Sequence, residues 1–578
     1  MLFRSDRSAP ERQRTLAAVI EWSWALLTED ERRALARLSW FADGFGLEAA
    51  NRVTGAADAV WLLDGLIAQS MLSMTDTSDP GEPRYRMLET VREFGQDRLG
   101  ERRETAEVSR AMRDWAVEFA RDRLDEIEHG GQLNALHSLT IEQDNLVALL
   151  RVALDDRDGA AVLGIFAALG YYWTVRSAHS EILSFSEPVL DATRGTAADA
   201  PVPAATLAYL LIAGTNLAVG APVGVRALAR LKRVAARGLP VDPWLAALSR
   251  FVLAYPDLSA AIEGLRAMAF DDDPRTALLG SIIQAQYDEN AGDPAAARVH
   301  AARANQLSRV THDVWAQAMS SMMLAQLASQ SADPQEALRW TGAAREGLEL
   351  LGAEQDLLQL EWMVSGALLS AGRLDEARLG IDRMVDDDRS TADGLELRAI
   401  AQLGLAELAR LEGRPDDALA HARRLVADLG IARGPSAPWY LLSLSTLLAG
   451  ASADWPEDEM AGWADSLRRR LTAMFRARPG FTDFPVLGTV ATGWGTWAMR
   501  QRSPALRERG LELLALGEQL HARQDLPALH LDDRFAEAER RAGIAAVRAA
   551  RRAAERLTPD ARAERARELL ATPVPRAS

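Results

Sequence analysis

The chain has 578 residues and a formal net charge of −16, with 48% hydrophobic and 26% charged residues. This length exceeds one hydrophobic core, so we expect several structural units or a repeat array. The net negative charge disfavours binding to nucleic-acid phosphates over the surface as a whole. The absence of cysteine excludes disulfides, thiolate metal sites and cysteine nucleophiles.

Residues 1–100 are predicted to form a winged-helix domain. The run from Thr28 to Glu31 is a capping box that begins a helix, and Gly44 to Gly46 interrupts the helical pattern. Two β-like runs then flank a turn-rich loop, which indicates a short hairpin. The expected elements are helices at about 28–41, 47–53 and 58–69, and strands at 71–75 and 84–88.

The third of these helices is poorly suited to reading DNA. In many winged helices this element enters the major groove. Here the segment Asp58 to Gln69 offers two acids and no Arg or Lys to contact bases or phosphates. The sequence therefore predicts an intramolecular spacer role and no direct nucleic-acid binding by this chain.

Residues 101–200 are predicted to be a helical connector. Two charge-free stretches, 200–225 and 434–453, approach the length of a membrane span. Glycine, asparagine and proline interrupt them, which favours buried helices. Because residues 1–14 also lack the apolar core of a signal peptide, we expect a cytoplasmic protein without membrane contact.

A short pattern repeats four times in the middle of the chain. Its closing alanines are Ala297, Ala337, Ala377 and Ala418, which are 40, 40 and 41 residues apart by subtraction. Each pattern has a Gly or Ala that suits a helix end and, in three copies, a Pro that suits the next helix start. The period indicates stacked helical hairpins.

These hairpins resemble tetratricopeptide repeats with lengthened helices. A small residue precedes each closing alanine by twelve positions: Ala285, Ala325, Ser365 and Ala406. Small residues at both positions allow the paired helices to approach closely. We predict an all-α fold, a TPR-like α-solenoid preceded by a small winged-helix domain with a short β-hairpin, with TPR-like repeats in 201–435 and degenerate TPR-like helices and a cap in 436–578.

Four large side chains lie on the first helices of these hairpins, which line the concave face in such arrays. They are Trp315, Met319, Met322 and Trp362. Aromatic and methionine side chains there are candidates for holding a peptide or an apolar ligand. The alternative is that they are only part of the hairpin core.

Several segments also resemble bacterial STAND regulators, which are ATPase-switch proteins that include transcriptional activators of the antibiotic-regulatory (BTAD/LuxR-like) group. The similar segments are Arg14–Leu27, Leu38–Ala50, Tyr85–Phe94, Glu142–Leu146, Ala167–Trp173 and Thr482–Val486. The resemblance implies the order of effector domain, P-loop ATPase domain, winged helix and helical sensor array. In this chain the resemblance covers the winged helix and the helical array.

Two departures from this family limit what the resemblance implies. No G-x-x-x-x-G-K-[ST] motif is present, and Lys232, the one lysine, lies in no glycine loop. In the wider nucleotide-switch class the winged helix carries a histidine that contacts nucleotide. The matching positions are Met87, Leu88 and Glu89, and leucine cannot donate a hydrogen bond to phosphate.

The sequence thus predicts the non-catalytic sensor half of a STAND-type regulator, with no cofactor and no metal. Its expected partners are a P-loop ATPase domain in trans and a protein, peptide or small-molecule signal. Two alternatives remain open, a stand-alone TPR scaffold and a direct winged-helix transcription factor. An enzyme is not expected, because no constellation of nucleophile, base and acid is evident.

Overall fold

A computed structural model describes residues 11–75, 83–195, 200–240, 242–254, 257–385, 387, 389, 397–431, 437–477 and 483–573. Within these residues the chain is helical apart from one two-stranded sheet. It divides into two compact units. The first comprises residues 1–173, 180–214 and 223–240, and the second comprises residues 174–179, 215–222 and 241–578.

The first unit begins with the winged helix, which confirms that prediction. Its elements are α1 (Glu11–Leu26), α2 (Glu29–Leu38), α3 (Leu47–Thr54), α4 (Val60–Ala68), β1 (Ser73–Thr75), β2 (Arg84–Arg86) and α5 (Glu89–Arg102). The strands are antiparallel, with Met74 opposite Tyr85. Residues 76–82 of the predicted turn lie outside the described residues.

The capping box at Thr28 has the expected geometry. The Thr28 hydroxyl accepts a hydrogen bond from the Glu31 amide, and the Glu31 carboxylate accepts one from the Thr28 amide at 2.7 Å. The helix ends at Leu38, whereas the pattern predicted about Phe41. Beyond Leu38 the amides of Trp40 and Phe41 donate to carbonyls only three residues back, so the last turn tightens and leaves the α-helical pattern.

Long helices follow the winged helix: α6 (Thr105–Glu128), α7 (Gln132–Asp155), α8 (Gly159–Val175), α9 (His179–Ala192), α10 (Val202–Ala218) and α11 (Val223–Ala235). Most of α8 is buried, including Phe166 and Trp173. Among the described residues, no helix is both long and apolar enough to cross a membrane.

The second unit contains the repeats. Its first helices are α12 (Pro243–Ala254), α13 (Leu258–Ala269), α14 (Pro274–Asn290), α15 (Pro294–Val310), α16 (Val314–Gln330), α17 (Pro334–Leu351), α18 (Glu354–Ser370), α19 (Leu374–Val385), α20 (Leu397–Leu411) and α21 (Pro415–Ile431). Helices α14 to α21 form the four predicted hairpins. The small residues at both predicted positions of every hairpin are buried.

Each hairpin turn depends on a left-handed backbone conformation. The second residue of every turn has a positive φ, at Gly292, Ala332, Gly372 and Gly413. Such a residue ends the first helix, and the following Asp293 and Asp333 cap the next one through their carboxylates. The repeated sequence pattern therefore encodes the turn itself.

The remaining helices are α22 (Ala437–Gly450), α23 (Glu457–Ala477), α24 (Phe484–Met499), α25 (Pro504–Gln519), α26 (Leu531–Ala542), α27 (Ile544–Glu555) and α28 (Pro559–Ala571). Residues 520–530, here named the α25–α26 loop, include a 3₁₀ turn at Pro527–Leu529. Helix α24 is buried from Pro485 to Met499. The predicted boundaries at residues 100, 200 and 435 remain predictions.

Candidate functional site

The outer face of α4 is apolar and acidic. Val60, Trp61, Asp64 and Ala68 are exposed along it, and Trp61 is 78% exposed. Burying an indole that is this exposed strongly favours association with another surface. The helix Val60–Ala68 carries Asp64 and no Arg or Lys. This face is suited to protein contact and unsuited to phosphate contact.

A second apolar face lies on α1. Val19, Trp22 and Leu26 are exposed at spacings of three and four, which places them on one side of the helix. Trp24 lies elsewhere on α1 and packs edge-on against Phe94, with ring centroids 5.4 Å apart. Helix α1 is therefore anchored to the winged helix on one side and presents apolar surface on another.

Many arginines around the winged helix are already paired with acids. The pairs include Arg33–Glu104, Arg37–Glu104, Arg37–Glu107, Arg52–Glu118, Arg84–Glu142, Arg86–Asp43, Arg92–Glu89 and Arg102–Glu29. A DNA backbone would have to compete with these carboxylates for the same guanidinium groups. Whether this chain contacts nucleic acid directly remains a prediction.

The three positions that match the nucleotide contact of the wider class lie where β2 leads into α5. Met87 is half-buried, and Leu88 is the N-cap residue of α5 and is 67% exposed. Glu89 accepts two hydrogen bonds from the Arg92 guanidinium, at 3.0 and 2.6 Å. Their suggested relation to a nucleotide remains a prediction.

A buried polar cluster fastens the wing to α7. The Asn145 carbonyl oxygen accepts hydrogen bonds from the amides of Ala42 and Asp43 at 3.0 and 3.1 Å, and its amide group donates to the Gly44 carbonyl at 2.9 Å. Arg84 on β2 pairs with Glu142 on α7, and both side chains are 9% exposed. We name Gly44, Arg84, Glu142 and Asn145 the wing latch.

Sequence reasoning used Glu142 and Asn145 only as part of a resemblance and missed this role. Gly44 also has a structural requirement, because a Cβ there would lie 2.8 Å from the Tyr85 carbonyl oxygen. The signal in the sequence was a polar pair at spacing three within an apolar helix. Buried polar groups of this kind usually have defined partners.

The second unit contains a cavity beside the repeats. Its walls come from α16, α18, α20, α21, α22 and the α25–α26 loop. The space between the walls, including solvent at the mouth, is about 830 Å³. Large apolar side chains form much of the wall, namely Trp362, Met363, Leu403, Trp439, Leu442 and Leu526.

Of the four predicted concave-face residues, Trp362 alone lines this cavity. Trp315 packs against a cluster around Leu278 and Ala304, Met319 is half-buried, and Met322 is buried. The structure therefore separates these residues into different surroundings. Whether Trp315, Met319 or Met322 contacts a ligand remains a prediction.

The α25–α26 loop supplies the cavity wall that sequence reasoning missed. Ser370 donates a hydrogen bond to the Asp525 carbonyl at 3.2 Å, and Glu407 accepts one from the Ala528 amide at 2.7 Å. These contacts join residues more than a hundred positions apart. Local sequence patterns carry no information on such a pairing.

Charged groups cluster at the polar end of the cavity. Arg523 pairs with Asp525 through a hydrogen bond of 2.7 Å, and Glu289 accepts a hydrogen bond from Gln330 at 2.7 Å. Asp483 caps α24 by accepting from the Val486 amide at 2.9 Å. Burial, followed by repulsion from Glu289, raises the pKa of Asp483 to about 6.

We expect Asp483→Asn to stabilise the protein at pH 7.5 by about 1–2 kcal/mol. Because the folded-state pKa is raised, the cost of ionising Asp483 is absent below about pH 4, grows between pH 4 and 6, and is constant above. Asparagine remains neutral and can still cap the helix. Urea unfolding at pH 7.5 and 4.0 measures the difference, which should disappear at the lower pH.

The control for this prediction is Asp333→Asn, the same change at the exposed N-cap of α17. That variant should change the free energy of unfolding by less than about 0.5 kcal/mol at both pH values. An equal gain for Asp483→Asn at pH 4.0 and 7.5 would show that ionisation is not the cause.

Comparisons with known proteins agree with the winged helix. Residues 27–100 match the family model described as a winged helix-turn-helix domain. The chain is 33% identical over 229 residues to proteins named "Putative HTH-type transcriptional regulator" in Mycobacterium tuberculosis strain H37Rv and in Mycobacterium bovis. This match spans 39% of the chain and 26% of the relatives.

One solved structure is also similar, a STAND protein with a tetratricopeptide repeat sensor from Pyrococcus horikoshii. It is 15% identical, with a TM-score of 0.39, and the alignment covers 71% of this chain and 64% of that one. The chain therefore carries a winged helix-turn-helix domain and is homologous over part of its length to proteins named as HTH-type regulators.

Proposed function

We propose that this chain is the sensor and regulatory part of a STAND-type transcriptional regulator. The winged helix is the output element, and the TPR-like array receives a signal. Binding energy is sufficient for such a switch, because a signal that prefers one of two states shifts the population toward it. The proposal rests chiefly on the winged helix, whose outer α4 face is apolar and acidic.

The partner proposed for the winged helix is a P-loop ATPase domain in trans. Since the 578 residues contain no P-loop motif, we assign no nucleotide hydrolysis to this chain. Exposed Trp22 and Trp61 supply aromatic side chains of the kind that dominates binding energy at protein interfaces. The acids on and beside α4 make an Arg- or Lys-bearing partner surface the best match.

The test is affinity purification of the tagged chain at low salt, followed by identification of any P-loop ATPase encoded beside it. We expect recovery of that ATPase, and we expect Trp61→Ala to weaken binding by about 2 kcal/mol, or roughly thirtyfold. Because Trp61 is largely exposed, its loss should change stability by less than about 0.5 kcal/mol.

Phe270→Ala is the matched control, because Phe270 is also an exposed aromatic residue, 66% exposed, but lies in the second unit. It should leave recovery unchanged. Failure to recover the ATPase would reject the in-trans partner, and equal losses for both variants would reject the α4 surface.

A direct DNA-binding role is less well supported, because α4 carries no basic residue and many nearby arginines are paired with acids. Gel-shift assays against genomic fragments test it. Salt-sensitive, sequence-specific binding by this chain alone would favour that role over the docking role.

A further inference from the structure

We propose that the cavity of the second unit binds a neutral, largely apolar ligand of one or two rings that carries at least one hydrogen-bonding group. This inference rests on the proposed sensor function and assigns the site and the chemical class of the signal. The cavity is defined by Trp362, Met363 and Trp439 on its apolar side and by Arg523 and Asp525 at its polar end.

The shape of the wall favours a flat molecule. Trp362 on α18 and Trp439 on α22 contribute indole rings, and Met363 contributes a flexible thioether that adapts to aromatic surfaces. A peptide backbone would bring several polar groups that this largely apolar wall cannot satisfy. A ring system avoids that cost.

The cavity wall carries a positive and a negative side chain, Arg523 and Asp525, but these two groups are paired with each other. The Arg523 guanidinium donates to the Asp525 carboxylate at 2.7 and 3.4 Å. A charged ligand would find no free counter-ion on the described part of the wall, and any charge that it buries between the walls is costly. A neutral ligand meets no such penalty.

Three unpaired polar side chains offer hydrogen-bonding positions to a ligand. Within the described residues, the side chains of Ser329, Gln359 and Ser443 make no hydrogen bond, and all three line the cavity. Ser443 is 5% exposed. Because these three side chains line the cavity, a ligand that enters it can form hydrogen bonds with them. Hydroxyl and amide groups can serve a donor or an acceptor.

The size of the cavity limits the size of the ligand that it can hold without a change in its walls. A dry cavity of about 150 Å³ binds benzene in an engineered protein, whereas the comparable cavity volume here is about 60 Å³. A ring therefore also occupies the open mouth or displaces the α25–α26 loop. That loop is held at Asp525 and Ala528 by hydrogen bonds to Ser370 and Glu407, so ligand entry is coupled to its position.

The experiment uses three fluorinated probes of similar shape with the full chain: 5-fluoroindole, which is neutral, 5-fluorotryptamine, which is a cation, and 5-fluoroindole-3-acetate, which is an anion. Fluorine NMR titration measures each dissociation constant. We expect 5-fluoroindole to bind with a dissociation constant below about 1 mM, as a fragment of this size can. The charged probes should bind at least about tenfold more weakly.

Variants at Gly366 locate the site. A Cβ at Gly366 would lie 3.5 Å from the Asp525 carbonyl oxygen and 3.7 Å from Leu526, which is ordinary contact at the cavity wall. Gly366→Ala should therefore fold and weaken binding modestly, while Gly366→Leu fills the space and should weaken binding at least about tenfold. Gly342→Leu is the control, since Gly342 lies on α17 with open space around its Cβ position.

Each outcome of these titrations either supports or overturns the proposed ligand class or the proposed site. Binding of a charged probe as tightly as 5-fluoroindole overturns the ligand class, as does no binding of 5-fluoroindole at 5 mM, a ceiling about fivefold above the expected constant. Unchanged binding by folded Gly366→Ala and Gly366→Leu overturns the site. The proposed regulatory function is judged separately, by recovery of the ATPase partner, so its failure is distinguishable.

Discussion

Gly493→Ala is expected to lower the free energy of unfolding by about 3 kcal/mol or more. A Cβ at Gly493 on α24 would lie 2.4 Å from the Ser445 carbonyl oxygen and 2.6 Å from the Ser445 Cα on α22. Both atoms belong to backbone, so relief requires α22 and α24 to separate. Overpacking a buried site usually costs 1–3 kcal/mol, and backbone obstruction on this scale raises that cost.

The matched control is Gly462→Ala on α23, where nothing lies within 4 Å of the Cβ position. This change should stabilise the protein by about 0.5–1 kcal/mol, because alanine favours the helix over glycine. Urea unfolding followed by circular dichroism compares the two variants. A destabilisation of Gly493→Ala below 1 kcal/mol would mean that the two helices are less tightly held than their contact indicates.

This glycine shows what the sequence could predict. In the sequence, Gly493 and Gly495 lack the third glycine of a dinucleotide-binding loop and follow no strand, which predicts a helix-packing feature. The close approach of the Ser445 backbone to Gly493 confirms this prediction. The repeats were equally predictable, since Gly292 and Gly413 serve turns whose residues are adjacent in sequence. Local signals of this kind determine local structure directly.

The candidate site was less predictable because its parts are distant in the chain. Trp362 was identified from its helix alone, whereas Trp439 and the Arg523–Asp525 pair reach the same cavity from segments up to 163 positions away by subtraction. No periodic pattern in the sequence predicts that these segments line the same cavity. For the same reason the four predicted concave residues were treated as one group although their surroundings differ.

Glu142→Gln is expected to destabilise the protein by about 3 kcal/mol through loss of the wing latch. Glu142 accepts hydrogen bonds from Arg84 and, at 2.6 Å, from the Asn145 amide group. Removing its charge leaves the buried Arg84 guanidinium without its main counter-ion, and breaking such a pair typically costs 3–5 kcal/mol. Asp43, whose carboxylate lies 3.6 Å from Arg84, offsets part of this cost.

The same substitution at an exposed pair provides the control. Arg52 and Glu118 also pair within the first unit, but their side chains are 47% and 38% exposed. Glu118→Gln should cost less than about 1 kcal/mol, because solvent screens the charges and hydrates the freed arginine. Equal effects of the two substitutions would show that burial does not set the strength of the latch.

A double-mutant cycle identifies the unpaired arginine as the cause. In Arg84→Met the buried charge is absent, so adding Glu142→Gln should cost at least about 2 kcal/mol less than it does in the parent chain. Additive effects would instead assign the loss to the Asn145 contact. If the coupling is found, the charge pair between Arg84 and Glu142 holds the wing against α7.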